Sequence, residues 1–422
     1  MNSRQRIALA VFTVAVLVCG ELFAGTWEAF RGPGSKGIAE HQNLPVKFDP
    51  STELLWKAAV PGTSNSSPIV WNDQLFVLTS TLDGTERILL CLDAKTGSKQ
   101  WDKVFPGHKT KIHAKNSLAS STPTTDGKGL YVAVWDGKDI VIHALDMKGQ
   151  PRWEKNLGEF KSEHGAGASP MLYKDKLIFT LDMDGKSVLY VFDKETGKID
   201  WSASREAHRA CYSMPQIVAR PGGDELIVTS TTCITSYNPE TGSRNWNWQW
   251  PWPAPKGGKK SGLRTIATSL EEKGILVASS GEGGVGRLAV GLKLPTTPGA
   301  QPIEAWENRK EFPYIPSGLV HDGYFYFAND PGFLGCWNLK TGKKVWYERM
   351  NGTAFIASPI LVDGKIYAAS EGGDIFVFPA APKFELLATN TIGERIRATP
   401  AVADGRLFVR GEKTLFCFGK KE

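Results

Sequence analysis

Short apolar runs bounded by Asp, Asn and Gly recur along this chain, and no long stretch has helical periodicity. Leu75-Phe-Val-Leu78, Lys365-Ile-Tyr-Ala368 and Leu415-Phe-Cys-Phe418 are of this kind, and runs of that length between turn residues predict strands. Eight openings, marked by small residues and usually a proline, head these runs. They are Ser67-Pro68, Thr122-Pro123, Ser169-Pro170, Met214-Pro215, Thr268-Ser269, Ser317-Gly318, Ser358-Pro359 and Thr399-Pro400. Proline fits at the head of a strand because no ladder donor is needed there. Short Asp/Gly turns follow, such as Asp126-Gly127, Asp363-Gly364 and Asp404-Gly405.

A second mark sits later in each unit. Asp93-Ala-Lys-Thr-Gly97, Asp193-Lys-Glu-Thr-Gly197, Asn238-Pro-Glu-Thr-Gly242 and Asn338-Leu-Lys-Thr-Gly342 each place a Trp four residues past the Gly, and the shorter Asp146-Met-Lys-Gly149 does the same. The Asp or Asn can bond its own backbone ahead and the Gly supplies a positive φ, so each segment predicts a hairpin turn. The following strand carries Trp101, Trp153, Trp201, Trp246, Trp306 or Trp346, whose ring can pack on a neighbouring unit.

Each unit therefore reads as four antiparallel strands, A to D, and the openings recur about every 40–55 residues, as four-stranded blades around an axis would. A pair of sandwiches would not repeat one turn at one phase, and a solenoid would have shorter coils. The eighth unit stops after its strand C at Phe418. Leu54-Leu-Trp56 at the other end can supply the missing strand D, closing the ring without an exposed edge. The expectation is an all-β, eight-bladed β-propeller spanning residues 25–422, with Trp56 joining the docking tryptophans.

Composition agrees, with 44 Gly and 14 Trp in 422 residues. Residues 1–24 read as an export signal: Arg4 and Arg6 precede the apolar Ile7–Val18, which is too short to span a bilayer, and Ala24 offers a cleavage site. Lipidation at Cys19 is the alternative, disfavoured by the bulky Val18 before it. Cleavage would remove Arg4, Arg6 and Glu21, taking the net charge from +6 to +5, too mild to suggest nucleic acid. No later run suits a membrane helix, so a monomeric periplasmic or secreted protein is expected.

The pattern Asp/Asn-x-x-Thr-Gly-x-x-x-Trp resembles the tryptophan-docking motif of pyrroloquinoline quinone (PQQ) repeat propellers, over nearly all of the mature chain. That family includes quinoprotein alcohol dehydrogenases, which bind PQQ and calcium, and BamB, a cofactor-free periplasmic scaffold of outer-membrane protein assembly. Trp27-Glu-Ala-Phe-Arg-Gly-Pro-Gly34 resembles the leader of propellers from planctomycete-like bacteria. The resemblance implies architecture more than chemistry. The paired adjacent cysteines typical of the dehydrogenases are missing, as is any Cys-x-x-Cys-His for haem. A non-catalytic binding or assembly scaffold for a protein or polysaccharide partner is thus expected, without cofactor or metal. The alternative is a PQQ- and calcium-dependent oxidoreductase acting on an alcohol or sugar.

Candidate sites lie in loops. The D-to-A connections carry Lys111, His113, His164, Arg209, Tyr212, Arg264, Arg395 and Arg397, a basic ring suited to an anionic ligand if the arginines converge on the axis. Paired charges on wet loops are the bland alternative. Trp248, Trp250 and Trp252 lie among prolines and predict an irregular loop, either exposed to grip a partner or packed over the channel mouth. Asp182-Met-Asp184-Gly185 reads as a hairpin turn, with calcium as the alternative. His108, His113, His164 and His208 would share a metal only if three blades' loops met. Cys91, Cys336 and Cys417 share one strand-C position and read as buried apolar residues. Cys211 at the head of strand A and Cys233 at the end of strand B are a disulfide candidate.

Overall fold

A computed structural model describes residues 25–421, apart from 208, 252–263, 283–285, 298 and 352–353. Residues 1–24, read as the export signal, lie outside the described residues. Eight sheets, each built on four antiparallel strands, follow one another as blades. Blade 1 holds Ile69–Trp71, Gln74–Ser80, Glu86–Asp93 and Lys99–Pro106 as strands A to D, and blades 2 to 7 cover 124–159, 171–205, 216–249, 270–308, 319–349 and 360–391. Blade 8 takes Ala401–Ala403, Arg406–Arg410 and Thr414–Gly419 from the C-terminal end and Leu54–Ala59 as its strand D. Trp56 pairs with Cys417 across that seam.

Why the inner runs are apolar throughout follows from their position. Leu130–Trp135 in blade 2 is buried at every residue because neighbouring blades cover both faces. The outermost Pro151–Glu159 keeps exposed or half-exposed residues throughout. Cys91, Cys336 and Cys417 face Trp101, Trp346 and Trp56 across the C–D pairing, so a small side chain there makes room for the indole.

Most docking tryptophans hydrogen-bond to the turn of the next blade. The indole N–H of Trp153 donates to Lys194 O at 2.9 Å, Trp201 to Pro239 O at 3.0 Å, Trp306 to Leu339 O at 2.8 Å and Trp346 to Ala381 O at 3.0 Å. Two depart from the pattern. Gln74 takes the carbonyl of Met147 at 3.1 Å, leaving the Trp101 N–H without a hydrogen-bond partner. Trp246 turns to Glu225 at 3.1 Å, because the blade-5 turn is replaced by the longer 294–302 connection.

The leader is an inserted element rather than a preface. Thr26–Trp27 pairs antiparallel with the inner strand of blade 1, and Ile38–Ala39 pairs parallel with that of blade 7. Between them the chain crosses the central channel through the short 3-10 turn Pro33–Ser35. Trp27 and Arg31 are fully buried there. Arg31 donates to Gly318 O in blade 6 at 2.5 Å and to Lys36 O at 2.9 Å, and burial pulls its guanidinium down to about 9. No described helix is long and apolar enough to cross a membrane.

Candidate functional site

The strand-A heads singled out by the sequence meet at the axis. The backbone N–H of one blade donates to the hydroxyl of the next: Thr268 to Ser317, Ser317 to Ser358, Ser358 to Thr399, Thr399 to Ser67, Ser67 to Thr122 and Thr122 to Ser169, at 2.9–3.1 Å. Met214 stands where blade 4 would supply its hydroxyl, so the ring is open at that blade.

Above this ring, on the face of the D-to-A and B-to-C loops, lies a funnel of about 590 Å³. Its apolar lining comes from Phe30, Met214, Ile266, Ile315, Pro331 and Ile356, mostly blades 4 to 7. Its polar lining on the other side includes Asn65, His113, Lys115, Asn116, His164 and Arg397. Phe30 belongs to the segment crossing the channel and forms the floor, which makes the funnel blind.

Of the residues expected to bind, His113, His164, Tyr212 and Arg397 line the funnel, whereas Lys111, Arg209, Arg264 and Arg395 do not. His113 and His164 stack with ring centroids 4.5 Å apart at 12°. Burial, with help from Arg264, His113 and Arg209, pulls the His164 imidazole down to about 4, so it is neutral at pH 7. Tyr212 donates to Gly165 O at 2.7 Å, and burial pushes its phenol up to about 12.

The four arginines do not converge on the axis. Arg209 and Arg264 both hold Glu163, at 2.9 and 3.2 Å. Arg395 pairs with Glu412 at 2.8 Å and Arg397 with Glu371 at 2.6 Å. Arg264 is fully buried, and a desolvated guanidinium needs a carboxylate nearby, which ties each cation to its own rim. Arg397 also donates to Ala114 O at 3.0 Å. Sequence reasoning missed Arg287, which meets Asp330 at 2.5 Å in the funnel wall; it sits on a strand rather than in a loop, so the search of loop charges passed it over. Asp330 further accepts the N–H groups of Tyr314 and Ile315, each at 3.2 Å.

Other expectations need correction. Strand D of blade 4 runs regularly to Gln249, with Trp248 opposite Ile234. Trp250 is 5% exposed, donates to Ser230 O at 2.9 Å and packs in the core between blades 4 and 5. These two rings are thus part of the blade packing; Trp252 lies outside the described residues. Cys211 and Cys233 are free thiols. The short strand B, Glu225–Thr229, ends before Cys233, which instead opens strand C, one strand too far out to face Cys211. Asp182 forms a buried pair with Arg205 at 2.8 Å, Asp184 accepts Ala210 N–H from the next loop at 2.8 Å, and Gly185 N–H donates to Met183 O at 2.9 Å within a tight turn. Among the described residues no three His, Cys, Asp or Glu are grouped to hold a metal; His208 is not among them.

A family model described as outer membrane protein assembly factor BamB matches residues 38–159 and 86–348. BamB of Burkholderia pseudomallei (strain K96243) is 25% identical over 204 residues, 47% of this chain and 48% of that protein. The chain thus spans about half the length of the curated relative it matches. Among solved structures, BamB from Moraxella catarrhalis aligns with a TM-score of 0.62 at 14% identity, covering 87% of this chain and 99% of that one. A europium-containing methanol dehydrogenase aligns at 0.65 with 12% identity over 94% and 98%. Quinohemoprotein alcohol dehydrogenase from Comamonas testosteroni aligns at 0.68 with 12% identity over 96% and 82%. At such identities the structures speak for the fold alone.

Proposed function

Because the chain belongs to the PQQ-repeat family described as outer membrane protein assembly factor BamB, we propose that it is an exported, non-catalytic scaffold that engages a protein partner through its funnel-bearing face. The observation that carries this reading is the blind funnel itself. It opens on one loop face, and its arginines are tied into ion pairs that position loops instead of presenting a reactive group. An acidic polysaccharide is the other partner class that such a rim would accept.

A quinone held with calcium does not fit these residues. Neither Cys nor Trp is among the described residues lining the funnel, and its one lining carboxylate, Asp330, is already held by Arg287. Calcium needs several converging oxygen ligands.

The test places a photo-crosslinking residue at Lys115, on the funnel rim, or at Lys128, on the A–B turn of the opposite face, in the native host. A discrete protein adduct from position 115 alone supports the scaffold reading. Equal adducts from both positions, or retention of the chain in the cytoplasm on fractionation, overturn it. Dye reduction with alcohols after addition of PQQ and calcium would replace it with the oxidoreductase reading.

A further inference from the structure

We propose that the throat of the funnel is a carboxylate-binding site whose donors are hydroxyl groups rather than cations. The inference deepens the reading of the funnel face as a binding face and rests on it.

Its basis is how the hydroxyls of the open ring are used. Ser317, Ser358, Thr399, Ser67, Thr122 and Ser169 each accept a backbone N–H from the preceding blade, at 2.9–3.1 Å. Each oxygen is thereby committed as an acceptor, while its own proton remains to be given. Among the described residues no protein acceptor takes those six protons. Five of the six residues line the funnel, and all are at most 6% exposed. Accepting a bond polarises an O–H, and shielding from water strengthens what it then donates. Five hydroxyls around one axis therefore border the funnel with protons that no group among the described residues accepts.

A carboxylate matches that demand, since its two oxygens accept about four bonds and bonds to an ionised acceptor are the stronger ones. The surroundings do not oppose a negative charge. Asp330, the carboxylate in the lining, is neutralised by Arg287 and two backbone N–H groups. Lys115 is exposed at the mouth. At the gap in the ring the thioether of Met214 replaces a hydroxyl, and Ile266, Ile315 and Ile356 continue the apolar wall over the Phe30 floor. The site therefore suits a carboxylate on a compact apolar body. A free organic acid or the C-terminal carboxylate of a peptide with an apolar last residue both have this chemistry.

Calorimetric titration of the full mature chain tests it with benzoate, benzamide, and one hexapeptide ending in Phe as the free acid or the amide. We expect saturable binding of at least one acid and about tenfold weaker binding of its amide, the worth of a hydrogen bond to a charged group. Benzoate alone binding identifies a small-molecule site, and the peptide acid alone identifies a chain terminus; either supports the proposal. Thr399→Val, checked for an intact melting transition, should weaken binding about tenfold, whereas Ser317→Thr, which keeps the hydroxyl, should not. Ile315→Trp should block binding by filling the funnel without touching the ring. Equal binding of acid and amide, no binding of any probe, or wild-type affinity in Thr399→Val would each overturn the proposal. Loss of acid binding with the position-115 adducts retained would remove this site and leave the scaffold reading standing.

Discussion

The indole of Trp56 lies flat against Gly97 of the neighbouring blade: a Cβ built on Gly97 would sit 2.5 Å from the ring, and the indole N–H donates to Ala94 O at 3.1 Å. Gly97 also has a φ of +73°. The same Trp-on-Gly contact recurs at Gly197 with Trp153 and at Gly242 with Trp201. At Trp56 it joins the strand from the chain's beginning to blade 1 and so locks the seam.

Gly97→Ala should destabilise the protein by about 2–4 kcal/mol, combining a left-handed backbone penalty with overpacking of the indole. Gly274 has a φ of +79° but open space around it, so Gly274→Ala should cost only about 1 kcal/mol. Urea unfolding followed by tryptophan fluorescence distinguishes the two, and equal losses would refute the docking account.

Asp182 and Arg205 form a pair with side-chain exposures of 0% and 2%. Removing one partner strands the other charge, so Asp182→Ala should cost about 3–5 kcal/mol. The double variant Asp182→Ala/Arg205→Met should recover part of that loss, because the desolvated charge is then gone. Chemical denaturation of the single and double variants measures the recovery.

His143 packs on Phe105 with centroids 4.4 Å apart, and burial pulls its imidazole from 6.5 down to about 4. The unfolded chain therefore binds more protons between those values. Stability contributed by the neutral ring is present above pH 6.5 and is lost as pH falls towards 4. His143→Gln should lose less stability than the wild type over that window. Parallel melting curves at pH 7, 5.5 and 4.5 check the difference, and identical pH slopes would contradict it.

Trp250→Ala should cost about 3–5 kcal/mol, the range for emptying a buried aromatic site. Leu82, 82% exposed, gives the comparison: Leu82→Ala should stay within about 0.5 kcal/mol. A Trp250→Ala variant as stable as the wild type would restore the exposed-loop reading.

The eight blades were legible because one turn chemistry repeats at one phase, and even the lent strand at Leu54–Trp56 follows from counting strands. The function of the leader was not legible: the two-residue strands Thr26–Trp27 and Ile38–Ala39 carry no periodicity, and their partners lie far away in sequence. Cys233 was placed one strand too far in because strand B of blade 4 ends at Thr229. Loop charges were visible in the sequence, but their pairing was not. Which carboxylate meets Arg264 or Arg397 depends on how adjacent blades abut, as the shared Glu163 shows.

The seam at Leu54–Ala59 and Thr414–Gly419 also sets an order of events in time. The earliest long strand of the ring has its partner in the ring's latest one, so it waits with a bare edge while every other blade can form from neighbouring segments. Such high contact order makes closure the slow, late step of folding and leaves the ring open until Thr414–Gly419 has emerged. Loss of the six-residue Thr414–Gly419 would thus leave two raw edges, converting a small deletion into a failure of the whole circle.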